Sequence, residues 1–285
     1  MRFAICNETF EGWYHARICR AVAELGYGGL EMAPFTLAPH ITDVTAEQRK
    51  TLRQQAEDYG VKIVGLHWLL AKTVGLQITS PDEAVRRATA VYLVELARAC
   101  RDLGGELMVF GSPAQRCIPA GATRAEATDY ALDTFERALP GIAECGIKLC
   151  LEPLAPAEAD FINTCAEAVA MLDRLPHPNF VLHLDVKAMS SEETPITGLI
   201  RRHSARMGHF HANDANRRGP GFGQTDFVPI FCALKEANYG GWVSVEVFDY
   251  SPDPETIARE SIRYMRECEE RIYHKGTKDT KETQR

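Results

Sequence analysis

Short apolar runs recur along this chain, each followed by a longer stretch whose apolar positions repeat with helical spacing. The runs at 2–6 (RFAIC), 28–32 (GGLEM), 61–66 (VKIVGL), 106–110 (ELMVF), 147–151 (IKLCL), 180–184 (FVLHL), 207–211 (MGHFH) and 241–247 (GWVSVEV) predict buried strands. Helices are predicted near 13–26, 45–59, 82–103, 123–145, 164–174, 195–204, 226–238 and 254–273. Local punctuation supports them. Thr45 with Gln48 has the spacing of a capping box, Ser80-Pro81 looks like the start of the third helix, and Gly60 and Gly146 stand where left-handed residues would end helices. Strand–helix alternation without a break in composition predicts one α/β domain, a (β/α)8 barrel over residues 1–273, rather than an open doubly wound sheet. The polar segment 274–285 is expected to be a flexible tail.

Four strands in the second half end in side chains that bind metals: KLCLE at Glu152, FVLHLD at Asp185, MGHFH at His211 and WVSVE at Glu246. At the carboxyl ends of parallel barrel strands these groups would converge on one spot. Three carboxylates and an imidazole suit one divalent cation, Mn²⁺ before Co²⁺, Mg²⁺ or Zn²⁺. Two glutamates beside a cation could move a proton next to a carbonyl, since that step needs a base and an electrophile. The bland alternative is that Glu152 and Glu246 form ordinary surface ion pairs.

This arrangement resembles the xylose isomerase-like barrel superfamily, and within it the D-tagatose/D-psicose 3-epimerases. The matching segments are Glu152-Pro153-Leu154 with Glu158 six residues on, His183-Leu184-Asp185, the run from His209 through His211 to Asp214, Arg217, and the run from Trp242 to Glu246. The resemblance implies a metal-dependent sugar isomerase or epimerase acting through an enediolate at the carbon beside a ketose carbonyl. Glu152 and Glu246 would be both ligands and proton-transfer groups, with Asp185 and His211 holding the ion. Glu158 and Arg217 would bind substrate, and His67, which ends the third strand, is a further candidate with Trp68 and Glu31 nearby. It also suggests a homodimer or homotetramer. Two departures stand out: LAPAEAD replaces the usual Asn-Arg-aromatic run before Glu158, and Ala188 stands where the epimerases carry a substrate-binding histidine.

His183 and His209 are expected to support the ligands rather than join them. Gly111, Ser112, Pro113 and Arg116 follow the fourth strand and could shape the pocket; Ser112 has no evident base partner. The glycine-rich turn from Arg217 to Gly223 lacks the lysine and context of a P-loop, so it reads as a loop near substrate, with Phe222 as a lid candidate and Arg218 facing solvent.

Composition narrows the partners. With 32 basic and 39 acidic residues the formal charge is −7, which disfavours nucleic acid or an anionic membrane as principal partner, while a small sugar or keto-sugar substrate is what the resemblance implies. Nine cysteines without a C-x-x-C point to a reducing, cytoplasmic setting, and the N-terminus lacks the apolar run of a signal peptide. A DNA-cleaving multi-zinc relative would need a histidine at 188 and an Asp-x-His after the seventh strand, and neither is present. An inosose dehydratase or isomerase, a keto-glycoside epimerase and a hydroxypyruvate isomerase remain alternatives on the same metal site. A non-catalytic binding barrel would be expected to have lost one of the four ligands.

Overall fold

The computed structural model describes residues 1–282, with side chains through residue 272. Eight parallel strands close on themselves in chain order: β1 (Arg2–Cys6), β2 (Gly29–Met32), β3 (Lys62–Leu66), β4 (Leu107–Phe110), β5 (Lys148–Leu151), β6 (Phe180–Asp185), β7 (Met207–Ala212) and β8 (Trp242–Val245). The Phe3↔Val243 register between β1 and β8 seals the barrel, which rules out the open sheet. Around it lie α1 (His15–Leu25), α2 (Ala46–Asp58), α3 (Glu83–Leu103), α4 (Arg124–Glu144), α5 (Cys165–Arg174), the short α6 (Val186–Met189), α7 (Ile196–His203), α8 (Phe227–Glu236) and α9 (Pro254–Glu282). The polar segment expected as a tail contributes the end of α9; residues 283–285 lie outside those described.

Each strand is buried over most of its length because helices cover the outside and the opposing strands fill the inside. Both the Thr45–Gln48 box at α2 and a second, Thr123–Glu126, at α4 are formed. The start of α3 differs from expectation. Asp82 is its cap, accepting from the Ala84 N–H, while the Ser80 hydroxyl accepts from Asp82 before the helix begins. One carboxylate and one hydroxyl, each accepting from a backbone amide, fix the turn that leads into the helix at Asp82. Gly60 and Gly146 have φ of 68° and 72°, the left-handed region expected of them.

The main core lies between barrel and helices, where Phe135 on α4 packs 5.4 Å from Phe110 and 5.0 Å from Phe180. A smaller apolar cluster of Ala4, Val64, Leu107, Val109, Cys150 and Trp242 plugs the lumen toward the strands' amino ends. The clustered carboxylates lie toward the carboxyl ends of the strands. Two register shifts, at Leu30/Glu31 and Leu182/His183, occur where β2 and β6 first turn a charged or imidazole side chain into that upper layer. Among the described residues no helix is long and apolar enough to cross a membrane.

Candidate active site

The strand ends bring Glu152, His183, Asp185 and His211 together, with a ligand atom from each lying within 4.8 Å of the others, all buried. Glu246 joins through His211, whose Nδ1 is 3.1 Å from Glu246 Oε2. Glu246 Oε1 accepts the indole N–H of Trp68 at 2.7 Å. Trp68 reaches it from a left-handed backbone, φ 52°, a conformation bulky residues rarely adopt and that clusters at functional sites.

Each ligand candidate is fixed from behind. Asp185 accepts from the Ala188 N–H at 2.7 Å, capping α6, and from Asn213 Nδ2 at 2.5 Å. His211 Nε2 donates to Glu31 Oε1 at 3.1 Å, and the other oxygen of Glu31 takes His209 Nε2 at 2.8 Å. Thus His209 is a support, as expected, and Glu31 bridges the two histidines. The buried Arg116 donates to the carbonyls of Glu152 and Phe110, each at 2.7 Å, and so clamps the backbone that carries Glu152. Gly111 leaves the space that Glu152 occupies: a Cβ there would lie 1.7 Å from Glu152 Oε2.

The electrostatics are those of a cation site. Burial, then the charges of Glu246 and Asp185, push the Glu152 carboxyl well above the ordinary range. Burial raises Asp185 to about 6 despite Lys187 nearby. Burial also opposes ionisation of Glu246, but His211 overcomes it and holds Glu246 at about 2. His211 is raised in turn, because Glu31 and Glu246 outweigh its burial. Burial keeps His183 neutral, and both its ring nitrogens lack partners although fully enclosed. Crowded buried carboxylates beside an unpartnered neutral imidazole match the donor set of a divalent ion, which would offset their repulsion. His183 is the member that sequence reasoning set aside. Its placement two residues before Asp185, on the same face of β6, was the available signal.

Protons and cation compete for these groups. Because Glu152 and Asp185 bind protons more tightly than free carboxyls, affinity for Mn²⁺ is expected to fall as pH drops through about 6. The slope should be about tenfold per pH unit for each proton displaced, measured by calorimetry between pH 8 and 5. A flat profile would mean that these carboxyls do not hold the ion.

The other candidates are placed as follows. Glu158 is bound by Lys187, whose Nζ lies 2.5 Å from its Oε1 and 3.8 Å from the Phe248 ring centroid. Arg217 is exposed at φ 72°, and its carbonyl accepts from Phe248 and Asp249. Arg218 does not simply face solvent: its Nε pairs with Asp249 at 2.9 Å. The loop after Arg217 is tethered, with Asn216 Nδ2 donating to the Phe222 carbonyl and the Thr225 N–H donating to Asp214. His67 is fully buried and donates to Glu8 Oε2 at 2.7 Å. Ser112 accepts from the Leu70 N–H, a structural task. Sequence reasoning missed Lys187 and Glu8, since a lysine in a short helix and a glutamate after β1 carry no distinctive spacing.

A closed eightfold barrel with a buried carboxylate–histidine cage at the strands' carboxyl ends defines the class, and the chain belongs to the xylose isomerase-like TIM barrel family, whose sequence profile matches residues 19–268. It is similar to the D-psicose 3-epimerase of Ruminiclostridium cellulolyticum, 30% identical over 253 residues that span 86% of this chain and 82% of the relative. It is likewise similar to the D-psicose 3-epimerase of Agrobacterium fabrum, 32% identical over 80% of this chain and 77% of that one. In fold it matches a 3-keto-D-glucoside 4-epimerase from E. coli with a TM-score of 0.82, covering 94% of this chain and all of the other at 20% identity. The chain is a metal-dependent isomerase or epimerase of sugars.

Proposed function

We propose that this enzyme inverts or relocates a stereocentre beside the carbonyl of a keto-sugar, one of Glu152 and Glu246 removing the α-proton and the other delivering a second proton to the substrate. The supporting observation is that the two glutamates flank one buried cluster while their environments drive them apart. His211 favours the ionised form of Glu246, while burial and the charges of Glu246 and Asp185 raise Glu152. In this reading one of the two glutamates takes the α-proton as base and the other returns a proton from the opposite face. A divalent cation, Mn²⁺ by the donor set, supplies Lewis-acid polarisation of the carbonyl when bound. Glu152, Asp185, His211 and Glu246 would hold it, with His183 adjoining.

Trp68 orients Glu246 by donating to its Oε1, leaving Oε2 to the reaction side with His211. Lys187 is assigned the donor role vacated at Ala188. Its ammonium lies on the Phe248 ring, shielded from water, and its charge bears on Asp185 and Glu246. Glu158 acts through Lys187, fixing where that cation points, and His67 acts through Glu8. Arg217, without a side-chain partner among the described residues, is free to meet substrate oxygens. The free thiols of the nine cysteines support a reducing, cytoplasmic setting.

The test is a panel of free ketoses, phosphorylated ketoses, keto-glycosides and inososes incubated with Mn²⁺-loaded enzyme in heavy water and followed by proton NMR. One class is expected to exchange its α-proton, and exhaustive chelation is expected to stop the exchange. Interconversion without label would show hydride transfer instead, and exchange that survives chelation would remove the metal from the reaction.

A further inference from the structure

Four imidazoles among the described residues are fully enclosed, and acids engage three of them. His67 meets Glu8 Oε2 at 2.7 Å, and His209 meets Glu31 Oε2 at 2.8 Å. His211 lies 3.1 Å from both Glu31 Oε1 and Glu246 Oε2. His183 differs from all of these. It is as deeply buried, yet neither Nδ1 nor Nε2 has a hydrogen-bond partner.

The strand register explains why no acid serves it. β6 and β7 pair with His183 beside His209 and Asp185 beside His211. Glu31 has already given one oxygen to His209 and the other to His211. What His183 faces instead is the ligand cluster. One of its nitrogens lies within 4.8 Å of a carboxylate oxygen of Glu152, a carboxylate oxygen of Asp185 and a nitrogen of His211, and its ring centroid is 4.2 Å from that of His211. Strand alternation puts it on the same face of β6 as Asp185. A buried polar group without a partner is uncommon in a folded chain and calls for a ligand or ion. An imidazole also adds a donor without adding charge to a site already crowded with carboxylates.

We infer that His183 is a direct ligand of the catalytic cation, a second nitrogen donor beside His211 that weights the site toward nitrogen-preferring ions, Co²⁺ relative to Mn²⁺. This rests on the cation site proposed above and adds a fifth donor to Glu152, Asp185, His211 and Glu246. Imidazole suits the later first-row ions, whereas carboxylate oxygen suits Mn²⁺. Removing His183 should therefore change which ion is preferred, an effect that a histidine serving only to fill the core would not have.

The test uses chelator-stripped protein reloaded with Mn²⁺ or Co²⁺, and it reads binding rather than turnover. Pulsed electron paramagnetic resonance of the Mn²⁺-loaded parent is expected to show two directly bound nitrogens, and that of His183→Leu only one. Calorimetric titration is expected to show Co²⁺ affinity falling by about 10–100-fold in His183→Leu, with a smaller fall for Mn²⁺, so that the Co²⁺/Mn²⁺ affinity ratio drops. His183→Gln, which keeps a polar side chain, should lose the same nitrogen and the same preference if packing is not the cause. A single bound nitrogen in the parent, or an unchanged ratio in either folded variant, overturns the assignment of His183 while leaving the four-ligand site standing. Failure of the parent to bind either ion overturns the cation site itself, and His183 as its ligand with it.

Discussion

Replacing Glu246 by glutamine is expected to reduce α-proton exchange by about 10²–10⁴-fold, the range typical of losing a positioned acid–base group. Metal should be retained in part. The substitution preserves size and can still accept the Trp68 N–H, and the cluster of Glu152, His183, Asp185 and His211 remains complete. What is lost is basicity: an amide cannot take up the proton that the Glu246 carboxylate, kept ionised by its histidine partner, can accept. Exchange rates read by proton NMR, paired with metal content by elemental mass spectrometry, separate the two effects. Near-native exchange would remove Glu246 from the chemistry, and loss of all metal would recast it as a ligand only.

Gly111→Ala is expected to cost about 100-fold in kcat/KM, since displacing a reacting group by an ångström can cost that much. The added methyl would stand 1.7 Å from Glu152 Oε2 and 2.9 Å from its carboxyl carbon, so Glu152 must leave its place. The backbone cannot yield instead. The Phe110 carbonyl just before it accepts from both the Glu152 N–H and Arg116, and Arg116 also clamps the Glu152 carbonyl. The destabilisation should be modest, about 1–3 kcal/mol for one overpacked methyl. Activity measured beside a thermal melt checks this. A variant as active as the parent would mean that the Glu152 position seen here is not the working one.

Much of the molecule was legible in the chain because two repeating physical demands produced it. Strands buried on both faces must be apolar throughout, and helices packed on them must be apolar on one side. The eight strands therefore start and end within a residue or two of their expected bounds. Glu152, Asp185, His211 and Glu246 were legible for the same reason: a charged or imidazole group that ends an apolar strand stands out against it. The exceptions share a cause. Asp82 displaced Ser80-Pro81 at the start of α3 because competing caps were decided by geometry three residues wide. That His183 stands within the cluster with no hydrogen-bond partner was likewise not legible, because nothing in a strand's alternation says whether an inward imidazole has one.

Lys187 illustrates the limit of motif reading. It stands beside Ala188 with no signal of its own, yet from the short helix α6 it reaches Glu158, across 29 positions of sequence, and its ammonium lies 3.8 Å from the Phe248 ring centroid. The chain alone determined the alternation, the closed barrel it implies and the four groups at the strand ends, since each follows from local periodicity and the alternating direction of side chains along a strand. Tertiary structure alone decided who pairs with whom: Glu31 with two histidines, Trp68 with Glu246, and Lys187 with Glu158. Those pairings depend on barrel closure and loop return, which bring together residues far apart in sequence, and no local pattern encodes a distance across the lumen.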